Sequence, residues 1–593
     1  MRRNDRTVTA VGSGGDGVIT FGDLLAQVAA YEGLHVVETE AYGPQIRGGE
    51  ASSTVRIASA EIGSPGDAAD IVIVLRWEDF ERFRGEIPFA PGALVLHEPP
   101  PEGCPLPSFD RSGLRLVAVP FAEMSRTAAG SPSARNIIAL GLVASLLGLP
   151  TETIRAAVCH RFGSKGPERM AGNERALAAG QALARETIGT VDFVISVAGG
   201  HPRPLLSGNE AVAVGAIHAG CRFFAGYPIT PSTEILQFLA ERLPRMGGTV
   251  IQTEDEISAI GAVIGASFAG ERAMTATSGP GLSLMTEMLG LASMAEIPSV
   301  IVDVQRGGPS TGNPTKTEQS DLWHSLYGTH GDAPRVVLAC SDVEDAFHTT
   351  VEAFNIAEEY QIPVILLSDQ SIGQRRQTIS GSALEHEVVE RRIPSSEELP
   401  GYQRYRETDD GVSPMSVPGM RGGEYQTNGL EHDASGRPAS AYLTHEAMNA
   451  KRYRKLWPIR ESHRFVRRFG PERADLGIVC WGSSLGAVRE AVTAANARGE
   501  SVAAFVPRML FPFPKEDFEK FLGSVGRLLV VEVSYSAQFY RYLRSFINLP
   551  AETRVYKRSG GKPLTTSEVE NSMSRLFDLQ PAEIPVSLAE VLV

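Results

Sequence analysis

The first 162 residues alternate short β-branched runs with longer helical stretches. The runs at 7–11 (TVTAV) and 35–40 (HVVETE) predict strands, and residues 17–33 between them predict a helix that Gly33 ends. Further elements of the same kind are predicted as strands at 70–75, 92–98 and 114–121 and as helices at 134–150 and 151–162. Strands separated by helices predict an α/β sheet with parallel pairs.

Two more blocks show the same rhythm, one over 209–369 and one from about residue 474 onward. Between them, residues 394–460 are rich in Gly, Pro and polar side chains, which indicates a crossing segment or linker. The sequence therefore predicts three α/β domains with one linker, at 1–197, 198–393, 394–465 (the linker) and 466–593.

Composition narrows the class of protein. With 593 residues, 42% hydrophobic and 21% charged, the chain has the make-up of several soluble globular domains. A net charge of −14 argues against a nucleic-acid or anionic-membrane surface. No apolar run reaches the ~18 residues of a membrane span, and the first residues lack the apolar region of a signal peptide.

The five cysteines are at least 55 positions apart and form no C-x-x-C pair. Scattered thiols are typical of a reduced, cytoplasmic protein. They also argue against an iron–sulfur cluster held by this chain alone, because such a cluster needs grouped thiolates.

The stretch 10–19 (AVGSGGDGVI) has the G-x-G-x-x-G spacing of a dinucleotide-binding turn, through Gly12, Gly14 and Gly17. A strand precedes it, a helix follows it, and Glu38 stands about 20 positions later, as that motif requires. A tight turn that packs a helix onto a sheet, or a site for another phosphate-bearing ligand, explains the same glycines.

Residues 15–17 (Gly-Asp-Gly) also match the first half of the motif that holds thiamine diphosphate through a divalent metal ion. That motif needs an asparagine roughly 25–30 positions later to complete the metal ligands. No asparagine occurs between Asn4 and Asn136, so the sequence predicts no metal site here.

The stretch 226–234 (GYPITPSTE) points to a site for a carboxylate. Pro228 and Pro231 stiffen the loop, and Ser232 is placed to cap the following helix. A stiff loop with two hydroxyls at a helix start can hold a carboxylate, although a capped helix start alone explains the same residues.

Three segments of the second block resemble the signature segments of the 2-oxoacid:ferredoxin oxidoreductases: 226–235 (GYPITPSTEI), 254–270 (EDEISAIGAVIGASFAG) and 275–322, which includes TATSGPG and VQRGGPSTGNPTKTEQSDL. The N-terminal GSGGDGV and YGPQIRGGEASSTVRI are similar to the gamma domain of the same family, which usually has glutamine where this chain has Asp16. Fusion of a gamma domain to an alpha chain is a known arrangement in that family, and the resemblance covers essentially the whole chain.

The resemblance implies an α/β fold of three domains: a Rossmann-like gamma domain, a thiamine-diphosphate pyrimidine-binding domain and a transketolase C-terminal-like domain. It implies that thiamine diphosphate is shared with a separate beta subunit, which carries Mg²⁺ and a 4Fe–4S cluster. The complex would be an (αβ)₂ heterotetramer that decarboxylates a 2-oxoacid, passes electrons to ferredoxin and gives the acyl group to coenzyme A.

The resemblance also implies a role for a glutamate, which hydrogen-bonds the pyrimidine ring of the cofactor. Glu256 precedes the glycine-rich helix at the spacing found in the family, and Glu254 is the rival two positions earlier. Either residue could instead simply begin a helix, where an acidic side chain is favourable.

The YPITP loop would supply the other contacts of the site. Tyr227, Pro228 and Ile229 are expected to contact the cofactor, and Thr230 with Pro231 is expected to hold the carboxylate of the substrate.

Arg306 is the expected cationic partner of that carboxylate. Its planar guanidinium can bind a carboxylate through two hydrogen bonds, although an arginine after a strand often only ends it in solvent. Coenzyme A is expected near the glycine turn, through Gly12, Gly14, Gly15 and Gly17.

The substrate stays open between 2-oxoglutarate, which is favoured for a fused gamma–alpha chain, and pyruvate or a branched-chain 2-oxoacid. A distal carboxylate would need a further cation, for which Arg47, Lys316 and Arg306 are candidates. Functions of other classes are a non-catalytic scaffold subunit and a nicotinamide-dependent dehydrogenase built on the first block.

Overall fold

The computed structural model describes residues 4–43, 49–83, 85–102, 106, 109–188, 193–197, 199–380, 386–462 and 466–577. The chain divides into two compact units. Unit 1 comprises Met1–Leu206 with Gln374–Ala383, and unit 2 comprises Ser207–Gly373 with Leu384–Val593.

Unit 1 is built on one mixed sheet with the strand order β6-β5-β4-β1-β3-β2-β14-β7. The strands are β1 (Asp5–Ser13), β2 (His35–Tyr42), β3 (Glu50–Ala58), β4 (Ala69–Val74), β5 (Phe89–His97), β6 (Arg115–Ala118), β7 (Leu205–Ser207) and β14 (Arg376–Thr378). The helices are α1 (Val18–Tyr31), α2 (Trp77–Phe83), α3 (Phe121–Ala129), α4 (Arg135–Leu146), α5 (Thr151–Phe162) and α6 (Pro167–Leu183).

The predicted strands and helices of this block are present, and six further elements were not predicted: α2, α3, α6, β3, β7 and β14. β1 pairs in parallel with β4 as expected, but it also pairs antiparallel with β3, which lies in the polar stretch after Tyr42. Helix α6 follows the last predicted helix. The segment 374–383 returns from unit 2 to add β14 beside β2.

Unit 2 contains two sheets. The first has the order β18-β12-β13-β11-β10-β8-β9, and only β18 runs antiparallel to its neighbour. Its strands are β8 (Phe223–Gly226), β9 (Thr249–Gln252), β10 (Ala273–Thr277), β11 (Ser299–Gln305), β12 (Val336–Ala339), β13 (Pro363–Asp369) and β18 (Met509–Phe511). Its helices are α7 (Gly208–His218), α8 (Thr233–Arg242), α9 (Glu256–Phe268), α10 (Gly279–Leu284), α11 (Thr286–Met294), α12 (Leu322–Tyr327), α13 (Val343–Tyr360) and α14 (Gln370–Gly373).

The second sheet of unit 2 has the order β15-β17-β16-β19-β20. Its strands are β15 (Val466–Phe469), β16 (Ala474–Val479), β17 (Val502–Pro507), β19 (Val525–Glu532) and β20 (Thr553–Lys557). Its helices are α17 (Leu485–Ala497), α18 (Lys515–Leu522), α19 (Gln538–Phe546) and α20 (Thr566–Phe577).

The two sheets of unit 2 share one hydrophobic core. The same cluster of buried side chains includes Ile301 and Ile365 of the first sheet and Val479 and Phe505 of the second. Such a shared core resists separation of the two sheets, because exposing its apolar surface to water would cost a free energy of roughly 25 cal/mol per Å².

The predicted linker at 394–465 contains two helices, α15 (Tyr442–Arg454) and α16 (Leu456–Ser462), after irregular chain. The fold class predicted from the sequence, three α/β sheets with their helices, is confirmed. The domain boundaries stay predictions. Among the described residues, no helix combines the length and the apolar character needed to cross a membrane.

Candidate functional site

The predicted site residues of unit 2 follow neighbouring strands at one edge of the seven-stranded sheet. β8, β9, β10 and β11 are parallel, so their carboxyl ends lie at the same edge. The YPITP loop follows β8, Glu254 and Glu256 follow β9, and Arg306 follows β11. In open α/β sheets this edge is where ligands bind.

The YPITP loop is held in place by hydrogen bonds from Asn209, a fully buried side chain on α7. Its Nδ2 donates to the carbonyl of Pro231 at 2.8 Å and to Oε2 of Glu234 at 3.0 Å. Ser232 stands at the N-cap position of α8, but its hydroxyl donates to the carbonyl of Ile229 at 3.0 Å and makes no cap hydrogen bond. The prediction that Ser232 caps the helix is therefore wrong, and the hydroxyl tightens the loop instead.

Within the loop, Tyr227 and Thr230 are exposed, Pro228 and Ile229 are half-buried, and Pro231 is buried. The exposed side chains are available to a ligand, whereas Pro231 supports the loop.

Arg306 reaches this loop directly. Its side chain is only 7% exposed, and one terminal nitrogen donates to the carbonyl of Thr230 at 2.6 Å. Its Nε has no hydrogen-bond partner among the described residues. Burial lowers the pKa of Arg306 and Asp321 raises it, and a guanidinium stays charged in proteins. The structure thus brings Arg306 and Thr230 together, through the main chain of Thr230 rather than its hydroxyl.

Glu256 is the first residue of α9 and is 5% exposed, whereas Glu254 is exposed in the preceding loop. The helix is capped by Asp255, whose carboxylate accepts from the N–H of Ser258 at 2.7 Å. Glu256 is therefore not needed as the cap, and its burial at the sheet edge calls for another explanation.

The space beside Glu256 depends on Gly281 in α10. A Cβ atom at Gly281 would lie 2.6 Å from Oε1 of Glu256 and 2.0 Å from Oγ1 of Thr277. Only glycine fits there, because any side chain would displace the carboxylate. The segment TSGPGLS was part of the predicted signature, but Gly281 was not singled out.

Four apolar side chains are exposed on elements of this sheet. Ile257, next to Glu256 on α9, is 49% exposed, and Ile251 of β9, Leu284 at the end of α10 and Tyr227 after β8 are exposed as well. A single exposed apolar side chain is common, but several on neighbouring elements favour contact with a ligand or a partner protein.

Two further carboxylates at this edge were not predicted. Asp303 lies within the all-buried strand β11. Asp321 lies close to the end of the same strand, because its N–H donates to Oε1 of Gln305 at 3.2 Å. A charged residue inside the apolar run SVIVDVQ was a signal that the sequence offered.

Lys316, a candidate for a distal carboxylate, lies in the loop after Arg306. Its carbonyl accepts from the N–H of Gly307 at 2.9 Å, and its stem packs against Gly561. Arg47, the other candidate, lies outside the described residues.

In unit 1 the glycine turn joins β1 to α1. Gly12 lies in β1, and Gly17 takes a left-handed conformation (φ 78°) at the helix N-cap. A Cβ at Gly17 would lie 2.6 Å from Nδ2 of Asn136, whereas one at Gly15 would meet no described atom within 4 Å. Gly17 is thus a packing glycine, whereas the described residues leave the Cβ position of Gly15 unoccupied.

Asp16 closes the same turn. Its Oδ2 accepts from the N–H of Ser13 at 3.0 Å, and its Oδ1 pairs with Arg135 at 3.2 Å. This ion pair explains how aspartate fits where the related family usually has glutamine.

The dinucleotide interpretation gains no support from unit 1. Its acidic residue, Glu38, is 1% exposed and lies 3.9 Å from Arg376 of β14. Burial raises the pKa of Glu38, with Asp23 adding to the rise and Arg376 opposing it. A ribose cannot reach a carboxylate buried in this way.

Comparison with known proteins gives three family matches that together follow the three sheets. Residues 7–183 match "Pyruvate ferredoxin/flavodoxin oxidoreductase", residues 214–451 match "Pyruvate flavodoxin/ferredoxin oxidoreductase, thiamine diP-bdg", and residues 474–569 match "Pyruvate:ferredoxin oxidoreductase core domain II".

Individual relatives agree with these matches. The chain is 41% identical to the 2-oxoglutarate synthase subunit KorA of Methanothermobacter marburgensis, over 62% of this chain and 97% of that one. It is 33% identical to the alpha subunit of 2-oxoacid:ferredoxin oxidoreductase 2 of Aeropyrum pernix, over 81% of this chain and 78% of that one.

A solved structure is similar over almost the whole length. It is the 2-oxoglutarate:ferredoxin oxidoreductase of Magnetococcus marinus with 2-oxoglutarate, coenzyme A and succinyl-CoA bound. The TM-score is 0.91 at 36% identity, covering 97% of this chain and 99% of that one.

Proposed function

Because the chain belongs to the 2-oxoacid:ferredoxin oxidoreductase family, we propose that it is the alpha subunit, with a fused gamma domain, of an enzyme that oxidatively decarboxylates 2-oxoglutarate. The products are CO₂, the acyl-CoA and electrons passed to ferredoxin. The observation that carries the proposal is the convergence of Arg306, the YPITP loop and the buried Glu256 at the carboxyl edge of one parallel sheet.

The residues at this edge fit the pyrimidine ring of thiamine diphosphate. The ring is flat and aromatic, and one of its two ring nitrogens needs a hydrogen bond with a carboxyl group. Glu256 offers a carboxyl with a glycine beside it, and Ile257 and Leu284 offer apolar contacts. When bound, the cofactor supplies the carbon centre that activates the 2-oxoacid for loss of CO₂.

Glu256 is the residue we assign to the pyrimidine nitrogen, with Tyr227, Pro228 and Ile229 of the loop beside the ring. The assignment favours Glu256 over Glu254 because a buried carboxyl holds a fixed position and exchanges no hydrogen bond with water. The exposed Glu254 remains available to a partner chain.

Arg306 and Thr230 are the residues we assign to the substrate carboxylate. Arg306 already donates one hydrogen bond to the loop and retains donors in its planar fork. A buried guanidinium binds a carboxylate more strongly than an exposed one, because little water competes. Holding the carboxylate fixes the keto carbon, which supplies the orientation that the decarboxylation needs.

The site is completed by a partner chain. The relatives are named as subunits, and this chain is one subunit of a multi-subunit enzyme. We assign the pyrophosphate site, Mg²⁺ and the 4Fe–4S cluster to a beta subunit that covers Ile251, Ile257 and Leu284, in an (αβ)₂ assembly that reduces ferredoxin. We place the complex in the cytoplasm, as the scattered free thiols favour.

Coenzyme A is assigned to the glycine turn of unit 1. The related Magnetococcus marinus enzyme binds coenzyme A. Support in this chain comes from Gly15, where an added Cβ would meet no described atom, and from Arg135, which lies beside the turn in an ion pair with Asp16.

The test is the substitution Arg306→Ala in the complex reconstituted with its beta subunit, assayed with methyl viologen as electron acceptor. Removal of one partner of a buried charge pair should cost on the order of 2–5 kcal/mol in transition-state stabilisation. If Arg306 binds the carboxylate next to the keto group, kcat/KM falls for both 2-oxoglutarate and pyruvate. If it binds a distal carboxylate, only 2-oxoglutarate is affected.

The controls sharpen this result. Arg306→Lys should rescue poorly, because an ammonium lacks the planar fork, and Arg242→Ala, on the exposed end of α8, should leave kcat/KM unchanged. If kcat/KM for both substrates stays near the wild-type value in Arg306→Ala, Arg306 does not bind the substrate. If the complex turns over pyruvate but not 2-oxoglutarate, the substrate is pyruvate rather than 2-oxoglutarate.

A further inference from the structure

The loop that carries Arg306 is closed by its own main chain. This Arg306 loop comprises residues 306–318 and follows β11. The N–H of Gly307 donates to the carbonyl of Lys316 at 2.9 Å, and the N–H of Asn313 donates to the carbonyl of Gly307 at 2.8 Å. One hydrogen bond therefore links the main chain of Lys316 to the residue next to Arg306.

The far end of the Arg306 loop is held by a pair of glycines from the second sheet of unit 2. This glycine pair, Gly560 and Gly561, lies between β20 and α20. Gly561 forms an antiparallel bridge with the buried Thr317, and the N–H of Gly560 donates to Oε1 of Glu318 at 3.4 Å. The Arg306 loop thus starts on one sheet of unit 2 and is held by the other.

Gly561 leaves no room for a side chain. Its φ of 76° lies in the left-handed region that favours glycine. A Cβ at this position would lie 2.3 Å from Cβ of Lys316, and 2.8 Å and 3.0 Å from the next two carbons of the same side chain. Because a Cβ is attached directly to the main chain, rotation of the Lys316 side chain cannot relieve this overlap. The main chain of the Arg306 loop has to move instead.

Gly560 provides the contrast within the same pair. Its φ of 97° is also positive, but a Cβ at Gly560 would meet no described atom within 4 Å. The two glycines therefore separate the effect of an unfavourable backbone conformation from the effect of a contact with the Arg306 loop.

The residue that follows the Arg306 loop is fixed by the second sheet as well. The N–H of the fully buried Gln319 donates to the carbonyl of Val533 at 2.7 Å, and its Nε2 donates to the carbonyl of Trp481 at 2.7 Å. Since residue 319 is held in this way, a displacement at Lys316 is passed back into the Arg306 loop rather than forward into α12.

We propose that the glycine pair is a positioning element for Arg306 and so determines how well the enzyme binds the carboxylate of the 2-oxoacid; this rests on the proposed function. The pair fixes Lys316, whose carbonyl fixes Gly307 and the main chain that leads into Arg306. A guanidinium binds a carboxylate through hydrogen bonds of defined geometry, so a displaced main chain weakens that binding.

The proposal gives the second sheet a part in the reaction. The residues assigned above to the thiamine cofactor and to the 2-oxoacid all follow strands of the first sheet. The second sheet would act on them through the glycine pair alone, without touching the substrate.

The first test compares Gly561→Ala with Gly560→Ala in the reconstituted complex. In Gly561→Ala, KM for 2-oxoglutarate should rise by about tenfold, the equivalent of about one hydrogen bond to a charged group. The kcat and the KM for coenzyme A should change by less than about twofold, because the carboxylate contact is lost equally before and during the reaction. Gly560→Ala should keep the wild-type KM for 2-oxoglutarate.

Two more variants test the route of the effect. Lys316→Gly removes the Cβ that an alanine at position 561 would meet, so adding Gly561→Ala to Lys316→Gly should leave KM unchanged. Glu318→Ala removes the acceptor of the Gly560 N–H without adding atoms, and it should raise KM for 2-oxoglutarate by about twofold. If Gly561→Ala does not fold, Glu318→Ala decides the question, and a wild-type KM in that variant overturns the proposal.

A further measurement does not depend on turnover. Amide hydrogen exchange of the full chain, followed by mass spectrometry on peptides from residues 306–318, reports how firmly the Arg306 loop is held. Exchange in these peptides should be faster in Gly561→Ala than in the wild type and unchanged in Gly560→Ala.

Three results would overturn the proposal: a folded Gly561→Ala complex with the KM of Gly560→Ala, an equal rise of KM for coenzyme A, or faster exchange in the Arg306 loop without a change of KM for 2-oxoglutarate. Unchanged kcat/KM in Arg306→Ala would instead overturn the proposed function, and the hydrogen-exchange result would still show that the glycine pair holds the loop.

Discussion

At the scale of single residues, the sequence identified side chains better than it identified their neighbours. Thr230, Arg306 and Glu256 were selected from motifs, and the fold places all three at one sheet edge. Gly281 and Asp303 were not selected, because their importance depends on what packs against them in three dimensions. Glycine is required at position 281 because Glu256 and Thr277 occupy the space that a side chain there would need.

The burial of Glu256 gives a direct prediction. Glu256→Gln keeps the shape of the side chain but removes the carboxyl group that the pyrimidine nitrogen needs. Because acid–base participation is worth roughly 10²–10⁴-fold, kcat of the reconstituted complex should fall by about that factor with an unchanged unfolding temperature. The measurement is steady-state turnover with 2-oxoglutarate and methyl viologen.

Glu254→Gln is the matched control, since it makes the same chemical change two residues away at an exposed position. It should change turnover much less. A larger loss in Glu254→Gln than in Glu256→Gln would reverse the assignment of the two glutamates and leave the family unaffected.

At the scale of secondary-structure elements, periodicity predicted most of what forms and missed what tertiary contacts create. The first residues of β3, from Glu50 to Ser53, carry no apolar alternation, and this half of the strand forms because β1 and β2 pair with it on both sides. β14 has three residues, and Arg376 fixes it through an ion pair with Asp23. Neither β14 nor the first half of β3 has a local signal in the sequence.

The helix α15 depends on a buried charge cluster that the sequence did not indicate. Lys451 and Lys455 both contact Glu296, at 2.8 Å and 2.6 Å, and Arg404 donates to the carbonyl of Glu296. Burial alone would raise the pKa of Glu296, but the three cations hold it well below its usual range. Burial lowers the pKa of Lys455 to about 7, which Glu296 opposes.

Glu296→Gln should therefore destabilise unit 2 strongly. It removes the carboxylate that offsets these buried cations, and loss of one partner of a buried ion pair costs roughly 3–5 kcal/mol. The measurement is the thermal unfolding temperature of the full chain. Glu407→Gln, which breaks an exposed pair with Arg454, should change stability by less than about 1 kcal/mol.

The same carboxylate predicts the response to acid. The pKa of Glu296 is depressed in the folded state, so the unfolded chain binds its proton first and the stability contributed by Glu296 is lost as the pH falls below about 4.5. Glu296→Gln should flatten this acid-side loss. An unfolding temperature equal to wild type at neutral pH would show that the cluster does not stabilise the fold.

At the scale of the whole molecule, the sequence predicted three α/β sheets and the family, because long βα patterns and ordered motifs persist over hundreds of residues. It did not predict that the second and third sheets share one core, or that residues 374–383 cross back into unit 1. Such arrangements depend on contacts between distant segments, which periodicity does not report. The domain boundaries and the roles of the site residues remain predictions that experiments must test.

The distribution of cysteines over the whole chain yields the final prediction: the chain purified alone is colourless and does not turn over 2-oxoacids. A 4Fe–4S cluster needs four grouped thiolates. The described cysteines Cys159, Cys221, Cys340 and Cys480 are free and scattered along the chain, and burial raises the pKa of Cys221 to about 12.

Coexpression with a chain that carries a G-D-G…N segment and a C-x-x-C pair should give a brown complex that reduces methyl viologen with 2-oxoglutarate and coenzyme A. Iron analysis and the visible spectrum of both preparations are the measurements, and the Glu256→Gln complex is the control, since it should be equally brown and nearly inactive. A brown, active single chain would contradict the division of the site between two subunits. An active complex indifferent to Glu256→Gln would make this chain a scaffold, because its best-placed carboxyl group would then have no part in the chemistry.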